Sequence, residues 1–327
     1  MCQGFDVMIQ LERTDTYMIY TVRGAITKEE MGRALPHEHI KWETDEDFAN
    51  QMYFDQQYNE DYNSTLYKQM LPLFKQLKKS CDTFVEASPP IGGQNLRLMH
   101  QLSCASGVNI VPSTGLSITK YAHLIFNDNF AENMAKRWIK DFEEGLETID
   151  DVVIKPGYIK LLMSRGSLSQ VDQESLKAAV WASKKTGMSI HCHVLEADRL
   201  YEVIDVLESE DMDFGKFLWA HADKEGNKKV ILDAVEKGMW IGFDMIKIGT
   251  YEEKIDLIKH AIHENYVGRV LISQDYDFYE ESSNEDGKTT CSSLFEQFIP
   301  YCIKSGISEE CLDKLTVDNP AFFYDIE

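Results

Sequence analysis

The sequence predicts an α/β fold, a (β/α)8 TIM barrel with a short N-terminal β-hairpin. Eight short apolar or β-rich runs alternate with longer amphipathic stretches, which is the order of strands and helices in a barrel. Several helical patterns end at a glycine before the next strand, as at Thr186-Gly187 and Lys237-Gly238, which is typical of a helix C-cap. No glycine-rich phosphate fingerprint follows a strand, so a doubly wound nucleotide-binding sheet is disfavoured.

The predicted elements follow one another in order along the chain. The strands are Leu35–His39, Thr83–Ala87, Asn109–Pro112, Tyr158–Leu162, Ser189–His193, Phe217–His221, Trp240–Phe243 and Val270–Ser273. The helices include Thr65–Lys79, Ala131–Glu147, Gln173–Thr186, Asp198–Glu208, Asn227–Lys237, Glu252–His263 and Ser292–Lys304. Met8–Arg13 and Tyr17–Val22 predict a hairpin at the bottom of the barrel. We expect residues 1–327 to form one domain, because no break in composition marks a second one.

Two long polar insertions follow predicted strands. Lys41–Asp61 comes after the first strand and Tyr276–Thr290 after the eighth. Because the loops that follow barrel strands form the active-site face, both insertions are candidate lids.

Charge and cysteine usage restrict the expected partners. The formal net charge is -22, because 33 Lys and Arg residues stand against 55 Asp and Glu residues. Such a chain repels nucleic acid and anionic membranes, so the expected partner is a small-molecule substrate, with a homodimer as a candidate assembly. The N-terminus has no signal-peptide pattern, and no stretch is apolar enough to span a bilayer. With seven scattered cysteines and no CxxC spacing, we expect a cytoplasmic protein with reduced thiols.

Residues of metal-binding type recur at or near the C-terminal ends of the predicted strands, which converge on one face of a barrel. In His37-Glu38-His39 the two imidazoles lie on one face of a strand, and Glu38 points the other way, so we assign it no metal contact. One such pair is weak evidence for a metal, because short spacings arise by chance. The ordered set carries the argument, and it is His37, His39, Lys160, His193, His221 and Asp275.

The lysine needs a chemical explanation, because an ammonium group has no lone pair for a metal. A buried Lys160 with a lowered pKa can react with CO2 to give a carbamate, an anionic bidentate group that could bridge two ions. Two such ions can share a hydroxide, and Asp275 would orient it and take its proton. A simpler interpretation makes Lys160 a salt-bridged rim residue and Asp275 a helix cap. His191 and His193 have the same strand parity, so either could be the ligand from the fifth strand.

Several segments, in order along the chain, are similar to segments of one known family. They are Thr21–Thr27, Gly32–Ile40, Val108–Val111, Ser113–Leu116, Gly157–Lys160, Phe217–Asp223, Ile241–Asp244, Leu271–Asp275 and Asp318–Ala321. Over nearly its whole length the chain thereby resembles the phosphotriesterase-like branch of the amidohydrolase superfamily. The members of this branch are metal-dependent hydrolases and lactonases on a (β/α)8 barrel.

The resemblance implies a role for each ligand. His37, His39 and Asp275 would hold the more buried metal, His193 and His221 would hold the more exposed one, and carboxylated Lys160 would bridge them. The implied cofactors are two divalent ions, with zinc as the first choice and manganese, cobalt or iron as alternatives, and the CO2-derived carbamate. The distance from Thr186-Gly187 and the register of the following helix favour His193 over His191.

The resemblance also indicates where a substrate binds, because family members differ mainly in the loops after the seventh and eighth strands. Some relatives hydrolyse phosphorylated sugar lactones that basic residues grip in these loops. Lys247 and Arg165 could do so here, and Tyr276 is a further candidate for substrate contact. The arginine expected just after the eighth strand is missing, which weakens phosphate recognition. Simple solvation explains Lys247 equally well.

We therefore predict a cytosolic, binuclear, metal-dependent hydrolase. Its predicted reaction is the opening of a sugar or phosphosugar lactone by attack of a metal-bridging hydroxide on the carbonyl carbon. The alternatives are a phosphotriesterase or another ester hydrolase, and a non-catalytic barrel that senses a ligand. A mononuclear site with unmodified Lys160 also remains open, whereas nuclease-type relatives have a carboxylate at that position.

Overall fold

The computed structural model describes residues 18–42, 60–117, 129–163, 165–225, 227–279 and 289–327. Its strands are β1 (Ile19–Thr21), β2 (Gly24–Ile26), β3 (Ala34–Glu38), β4 (Thr83–Glu86), β5 (Asn109–Val111), β6 (Ser113–Ser117), β7 (Glu147–Ile149), β8 (Val152–Ile154), β9 (Tyr158–Leu162), β10 (Ser189–His193), β11 (Phe217–Ala220), β12 (Trp240–Phe243) and β13 (Val270–Ile272). Two parallel sheets run β3-β4-β5 and β6-β9-β10-β11-β12-β13. Together they occupy the eight positions of a (β/α)8 barrel, so the predicted fold class is confirmed.

Two short strands share the third position of the barrel, because Pro112 interrupts it. Proline has no N–H to donate to a ladder. Before the proline β5 pairs with β4, and after it β6 pairs with β9. Within β6, Gly115 has a φ of +122°, and a Cβ there would overlap the carbonyl oxygen of Lys160. Only glycine therefore lets β6 approach the strand that carries Lys160.

The barrel closes between β13 and β3, the strand at the first barrel position, through backbone hydrogen bonds of His37 and His39. The backbone N–H of His37 donates to Ser273 Oγ at 3.0 Å, and the N–H of Asp275 donates to the carbonyl oxygen of His37 at 3.1 Å. The N–H of Phe278 donates to the carbonyl oxygen of His39 at 2.9 Å. These bonds attach the segment that carries Asp275 to the strand that carries both histidines.

Side chains along each barrel strand alternate between the interior and the helices. On β9, Ile159 and Leu161 belong to the large apolar core outside the strands, whereas Tyr158 and Lys160 face the interior. Near the start of the strands the interior is apolar, and its cluster includes Ala34, Val85, Tyr158, Leu218, Trp240, Leu271 and Tyr324. The polar candidate site residues lie further along the same strands. Apolar side chains therefore fill the barrel interior near the N-terminal ends of the strands, and the cavity lies near their C-terminal ends.

Helices connect most consecutive strands on the outside of the barrel. They span Glu60–Leu77, Leu96–Ser106, Phe130–Glu144, Gln170–Thr186, Ala197–Ser209, Lys228–Glu236 and Tyr251–His263. The C-terminal segment contains Ile299–Lys304, Glu309–Asp313 and Asn319–Phe323, with π-helical turns at Leu294–Phe298 and Lys314–Asp318. Gly187 is a left-handed C-cap with φ of 77°, which confirms the helix end predicted at Thr186-Gly187, and Gly107 ends another helix in the same way with φ of 80°. No helix in these described ranges is long and apolar enough to cross a membrane.

A short antiparallel hairpin precedes the barrel, which confirms the prediction of an N-terminal hairpin. In the described residues it pairs β1, which lies within the predicted strand Tyr17–Val22, with β2 across a tight turn. Met8–Arg13 lies outside the described residues.

The predicted helix Ala131–Glu147 ends at Glu144, and β7 and β8 then form a second antiparallel hairpin. Asp150 and Asp151 at its turn have φ of 48° and 65°, the left-handed pair that a two-residue hairpin loop requires. The two candidate lids fall mostly on residues 43–59 and 280–288, which lie outside the described residues.

Candidate metal centre

A cavity of about 580 Å³ opens among the residues at the C-terminal ends of the barrel strands. All six residues predicted as metal ligands line it, and they come from the first, fourth, fifth, sixth and eighth positions of the barrel. Trp42, Leu162, Lys247, Tyr276 and Asp277 complete the wall. The fold therefore brings together side chains that are up to 238 positions apart in the sequence (275 minus 37).

The two histidines of the first strand direct one ring nitrogen each toward Asp275. His37 is almost fully buried, and its Nε2 lies 3.5 Å from Asp275 Oδ1. His39 Nε2 lies 3.3 Å from the same oxygen, and its Nδ1 lies 2.7 Å from Ser88 Oγ. A hydrogen bond at Nδ1 orients an imidazole and keeps Nε2, which faces the cavity, available for a metal.

Asp275 follows β13 directly, in a left-handed backbone conformation with φ of 47°. Burial by itself raises the pKa of its carboxyl, but the charges of His37 and His221 and the hydrogen bond from His39 hold that pKa well below the usual value. Asp275 is therefore an ionised carboxylate at neutral pH. Such a group can hold a cation or accept a proton from water.

The remaining histidines of the predicted set lie beside the first strand. The ring centroids of His193 and His221 are 4.3 Å apart, and those of His37 and His221 are 4.9 Å apart. Burial holds the pKa of His37 and of His193 well below the usual value. Both imidazoles are therefore neutral at pH 7 and keep a lone pair, which is the form that binds a metal.

Lys160 faces the cavity from the middle of β9 and is about 2% exposed. Its Nζ lies 3.2 Å from His37 Nε2. Burial lowers the pKa of Lys160 to about 8, although Asp275 and Asp244 oppose the shift. A fraction of the side chain is thus a neutral amine near neutral pH, which is the form that can react as a nucleophile.

Asp244 is the main site residue that the sequence reasoning missed. It follows β12 and is buried between two predicted ligands: its Oδ2 lies 2.9 Å from His37 Nδ1, and its Oδ1 lies 2.7 Å from His221 Nδ1. It also accepts the backbone N–H of His221 at 3.0 Å, at a left-handed residue with φ of 65°. A carboxylate only accepts, so the Nδ1 atoms carry the hydrogens and the Nε2 atoms keep the lone pairs. The signal was its position, directly after a barrel strand.

The structure separates the roles of the two histidines of β10. His193 lines the cavity, whereas His191 lies deeper and is fully buried. His191 Nε2 is 3.1 Å from His37 Nδ1, and its Nδ1 is 3.3 Å from the hydroxyl oxygen of Tyr324. His191 is thus placed to support His37 from below, as a second histidine of the same strand parity must be when the first faces the cavity.

Glu38 points away from the cavity and holds the closing loop. Its carboxyl oxygens accept the Ser273 hydroxyl at 2.7 Å and the N–H groups of Gln274 and Tyr276 at 2.8 and 3.0 Å. Burial raises the pKa of Glu38 to about 8. Gln274 and Tyr276 are the residues directly before and after Asp275, so Glu38 fixes the backbone on both sides of that carboxylate.

The donor set suits a divalent cation. Among the described residues, His37, His221 and Asp275 each offer one donor atom, and these atoms all lie within 4.8 Å of one another. A second group with the same property is His37, His191 and Asp244. Its atoms meet at Nδ1 of His37, on the side away from the cavity, where Asp244 and His191 make hydrogen-bond contacts with that nitrogen. Imidazole and carboxylate donors together match zinc and similar ions.

The predicted substrate residues are not equally well placed. Lys247 and Tyr276 line the cavity, whereas Arg165 is exposed and is not part of its wall. The Tyr276 hydroxyl donates to the carbonyl oxygen of Thr289 at 3.0 Å. Arg165 follows β9 at an exposed position, and its role in substrate binding stays a prediction.

Comparison with known proteins places the chain in one family. It matches the profile of the Phosphotriesterase family over residues 17–324. It is 23% identical over 314 residues to an aryldialkylphosphatase of Saccharolobus solfataricus, a match that covers 92% of this chain and 98% of the relative. It is also 25% identical over 240 residues to a phosphotriesterase homology protein of Escherichia coli, covering 71% and 80% of the two chains.

A further relative is named for a different substrate. The chain is 19% identical over 339 residues to an N-acetyltaurine hydrolase of Xenopus tropicalis, covering 92% of this chain and 96% of the relative. The named relatives thus include hydrolases of more than one kind of bond. Because the family profile spans nearly the whole barrel and every strand that contributes to the cavity, the chain belongs to the phosphotriesterase family of hydrolases.

Proposed function

We propose that this chain is a binuclear, metal-dependent hydrolase that opens a lactone bearing an anionic group. The observation that carries the proposal is the convergence of four histidines, one carboxylate and one buried lysine on a single cavity. Chance does not readily produce such a set at the ends of five barrel positions. A barrel that only sensed a ligand would not need a buried lysine among neutral imidazoles.

The residues divide naturally between two ions. His37, His39 and Asp275 would hold the deeper one, since the Nε2 atoms of both histidines lie within 3.5 Å of Asp275 Oδ1. His193 and His221 would hold the outer one, and Lys160, as a carbamate, would contact both. When bound, such ions lower the pKa of a shared water and polarise the carbonyl oxygen of the substrate.

The carbamate on Lys160 requires an uncharged amine in a dry, shielded place. Its side chain is buried, and its Nζ contacts a neutral imidazole nitrogen of His37. In the reaction the amine nitrogen forms a bond to the carbon of CO2, one C=O π bond becomes a C–O⁻, and the nitrogen loses a proton to solvent. The product exchanges a cationic side chain for an anionic one, which suits a position between two cations.

Asp275 would orient the attacking water and take its proton. Its low pKa keeps it ionised, and its Oδ1 lies 3.5 Å from His37 Nε2 and 3.3 Å from His39 Nε2. After attack on the lactone carbonyl, that proton would pass to the ring oxygen as the C–O bond breaks, so the product is a hydroxy acid. Trp42 and Leu162 supply apolar wall that excludes water from one side of the substrate.

Lys247 is the basis for the anionic group that we propose on the substrate. It is half-buried in the cavity wall, and its ammonium group makes no hydrogen bond or ion pair with any described part of the chain. Tyr276 directly follows Asp275, where a second cation would otherwise reinforce a phosphate site. The described part of the cavity wall offers, besides Lys160, one such cation, which fits a carboxylate, a sulfonate or a singly contacted phosphate.

A second candidate function is hydrolysis of an N-acylated amino acid or amino sulfonate. The same Lys247, whose ammonium group has no partner among the described residues, favours it, because such substrates carry one anionic group a few bonds from the scissile amide. The similarity to an N-acetyltaurine hydrolase points in the same direction. Amide and lactone hydrolysis both place negative charge on a carbonyl oxygen, so the same site serves either reaction.

The deciding experiment is a substrate panel on protein reconstituted with zinc or manganese in the presence of bicarbonate. The panel contains neutral and carboxylated lactones, N-acetylated amino sulfonates, and a dialkyl aryl phosphate. We expect the fastest turnover on a substrate with one anionic group, and loss of that turnover in Lys160→Ala. If the loaded protein turns over none of these substrates, the hydrolase proposal fails. A fully active Lys160→Ala variant would remove the bridging carbamate from it.

A further inference from the structure

A second polar cavity, of about 1070 Å³, lies between two helices on the outside of the barrel. Its walls come from the helices Glu60–Leu77 and Leu96–Ser106 and from the turn of the β7–β8 hairpin. It shares no lining residue with the cavity that holds the predicted metal ligands. Any chemistry in it is therefore separate from the proposed hydrolase site.

One side of this outer cavity carries a thiol, an imidazole and a carboxylate in series. Cys104 Sγ lies 3.7 Å from His100 Nε2, and His100 Nδ1 lies 3.8 Å from Asp150 Oδ2. Each nitrogen of one ring thus faces a different partner. Cys104 and His100 are four residues apart on one helix, which places their side chains on the same face. Asp150 reaches them from the hairpin turn.

This order is the one in which an imidazole activates a nucleophile. Nε2 can take the proton of the thiol, and a carboxylate beside Nδ1 stabilises the imidazolium that forms. The His100 side chain is 7% exposed, so it is held in place, whereas Cys104 is open to solvent. The Asp150 side chain is 84% exposed and can shorten its contact to His100 by rotation.

The other cysteines of the described residues are less suited to react. Cys81, Cys192, Cys291 and Cys302 are buried, and Cys311 is partly buried. Burial raises the pKa of Cys311 and raises that of Cys302 to about 12. A raised pKa lowers the fraction of thiolate, which is the reactive form. Cys311 is therefore a suitable internal reference for Cys104.

We propose that Cys104 is a modification site that forms a mixed disulfide with a small, polar disulfide bound in the outer cavity. Cys104 gives its proton to His100 Nε2, and the thiolate attacks one sulfur of the incoming disulfide. A new S–S bond forms, the original S–S bond breaks, and the leaving thiolate takes the proton from the imidazolium. One disulfide and one thiol are consumed, and one mixed disulfide and one thiol are produced.

The polarity of the cavity supports a polar partner. Besides the thiol, imidazole and carboxylate, its wall offers the side chains of Glu60, Asn63, Ser64, Arg97 and Gln101. The Arg97 guanidinium pairs with Glu147 at 2.8 Å. Amide, hydroxyl and charged groups of both signs suit a zwitterionic peptide better than an apolar electrophile. Oxidised glutathione is a probe with these properties, and bis(2-hydroxyethyl) disulfide is a neutral reference.

The test measures the rate of mixed-disulfide formation at each cysteine by peptide mass spectrometry, with full-length protein carrying Cys2→Ser. At pH 7 we expect Cys104 in the folded chain to react at least about tenfold faster than in the same chain unfolded in guanidinium. His100→Gln should lower that rate about fivefold or more, and Asp150→Asn about two- to threefold. Asp151→Asn is the matched control from the same turn and should leave it unchanged.

The rate at Cys311 separates activation from a structural effect. His100→Gln and Asp150→Asn should slow mixed-disulfide formation at Cys104 and leave the rate at Cys311 unchanged, whereas a general loss of structure would change both rates. A rate at Cys104 no higher than in the unfolded chain would overturn the proposal. So would an unchanged rate at Cys104 in both His100→Gln and Asp150→Asn. Asp150 is exposed, so its variant stays informative even if His100→Gln does not fold.

Discussion

Replacing Asp244 with asparagine should disable the proposed metal centre without emptying the cavity. The change keeps the size of the side chain but exchanges one acceptor oxygen for an NH2 donor. If the remaining oxygen faces His221, whose N–H and Nδ1 both donate to Asp244, the NH2 faces His37 Nδ1. His37 must then accept at Nδ1 and carry its hydrogen on Nε2. That hydrogen points into the cavity, where a metal needs a lone pair.

The magnitude follows from the bonds that change. Of the four contacts that Asp244 makes with His37 and His221, those at 2.7 and 3.0 Å from His221 to Oδ1 survive in Asp244→Asn. The 2.9 Å contact to His37 is reversed, and the 3.1 Å contact of the His221 N–H with Oδ2 is lost. Loss of a partner that orients a ligating histidine costs about 10- to 100-fold in metal affinity, or about 1.4–2.7 kcal/mol. The free energy of unfolding of the metal-free protein should fall by about 1.5–3 kcal/mol, the value of one hydrogen bond to a charged group.

The assay is retention of zinc during dialysis against graded chelator, with urea unfolding of the metal-free protein measured in parallel. Asp141→Asn is the matched control, because Asp141 is a buried carboxylate that hydrogen-bonds Thr114 and Arg137 and not a site imidazole. It should lose stability and keep its zinc. Equal zinc retention in Asp244→Asn and the wild type would refute the reasoning that Asp244 sets the tautomer of His37.

Three further predictions concern the proposed site and its support. Lys160→Met should reduce bound zinc from about two ions per chain to about one and abolish stimulation by bicarbonate; two retained ions would argue against a lysine bridge. Lys247→Met should raise KM about tenfold for a carboxylated lactone and leave that of a neutral lactone within about twofold, since only the charged group loses a partner; equal effects on both would remove Lys247 from substrate recognition. Gly115→Ala should lower the free energy of unfolding, measured by urea titration, by at least about 3 kcal/mol, because its Cβ would overlap the Lys160 carbonyl oxygen. The control Gly249→Ala, also at positive φ but with no atom within 4 Å of the added Cβ, should cost about 1 kcal/mol. Similar losses in both variants would show that the backbone conformation, and not the clash, determines the cost.

The pattern of strands was readable because it is local. Tyr158–Leu162, Ser189–His193 and Trp240–Phe243 have the predicted bounds, and the other barrel strands differ from the prediction by one or a few residues. Where the chain departs from regular alternation the prediction was incomplete. It did not contain β6, which continues the third strand beyond Pro112, or the β7–β8 hairpin, whose turn at Asp150 and Asp151 follows the predicted helix Ala131–Glu147. Both are tight backbone features with weak sequence signals.

The functional residues show the same division. The predicted ligands share a property that can be read along the chain, since each lies near the C-terminal end of a strand. The position of Arg165 could not be read this way, because the direction of a loop after a strand depends on what it packs against. For His191 and His193 parity showed that both face inward, and only the packed barrel shows which of them borders the cavity.

By itself the sequence determined the fold class, the order of the strands and the set of six candidate ligands, because periodicity and strand ends are local properties of the chain. Only the tertiary structure decided how those ligands are held. His37 and Asp244 are 207 positions apart, and their hydrogen bond exists because barrel closure brings the first and seventh positions to one rim. The tautomer of an imidazole, the pKa of Lys160 and the separation of the outer cavity from the inner one depend on such neighbours. They follow from burial and contact in three dimensions, which no local pattern encodes.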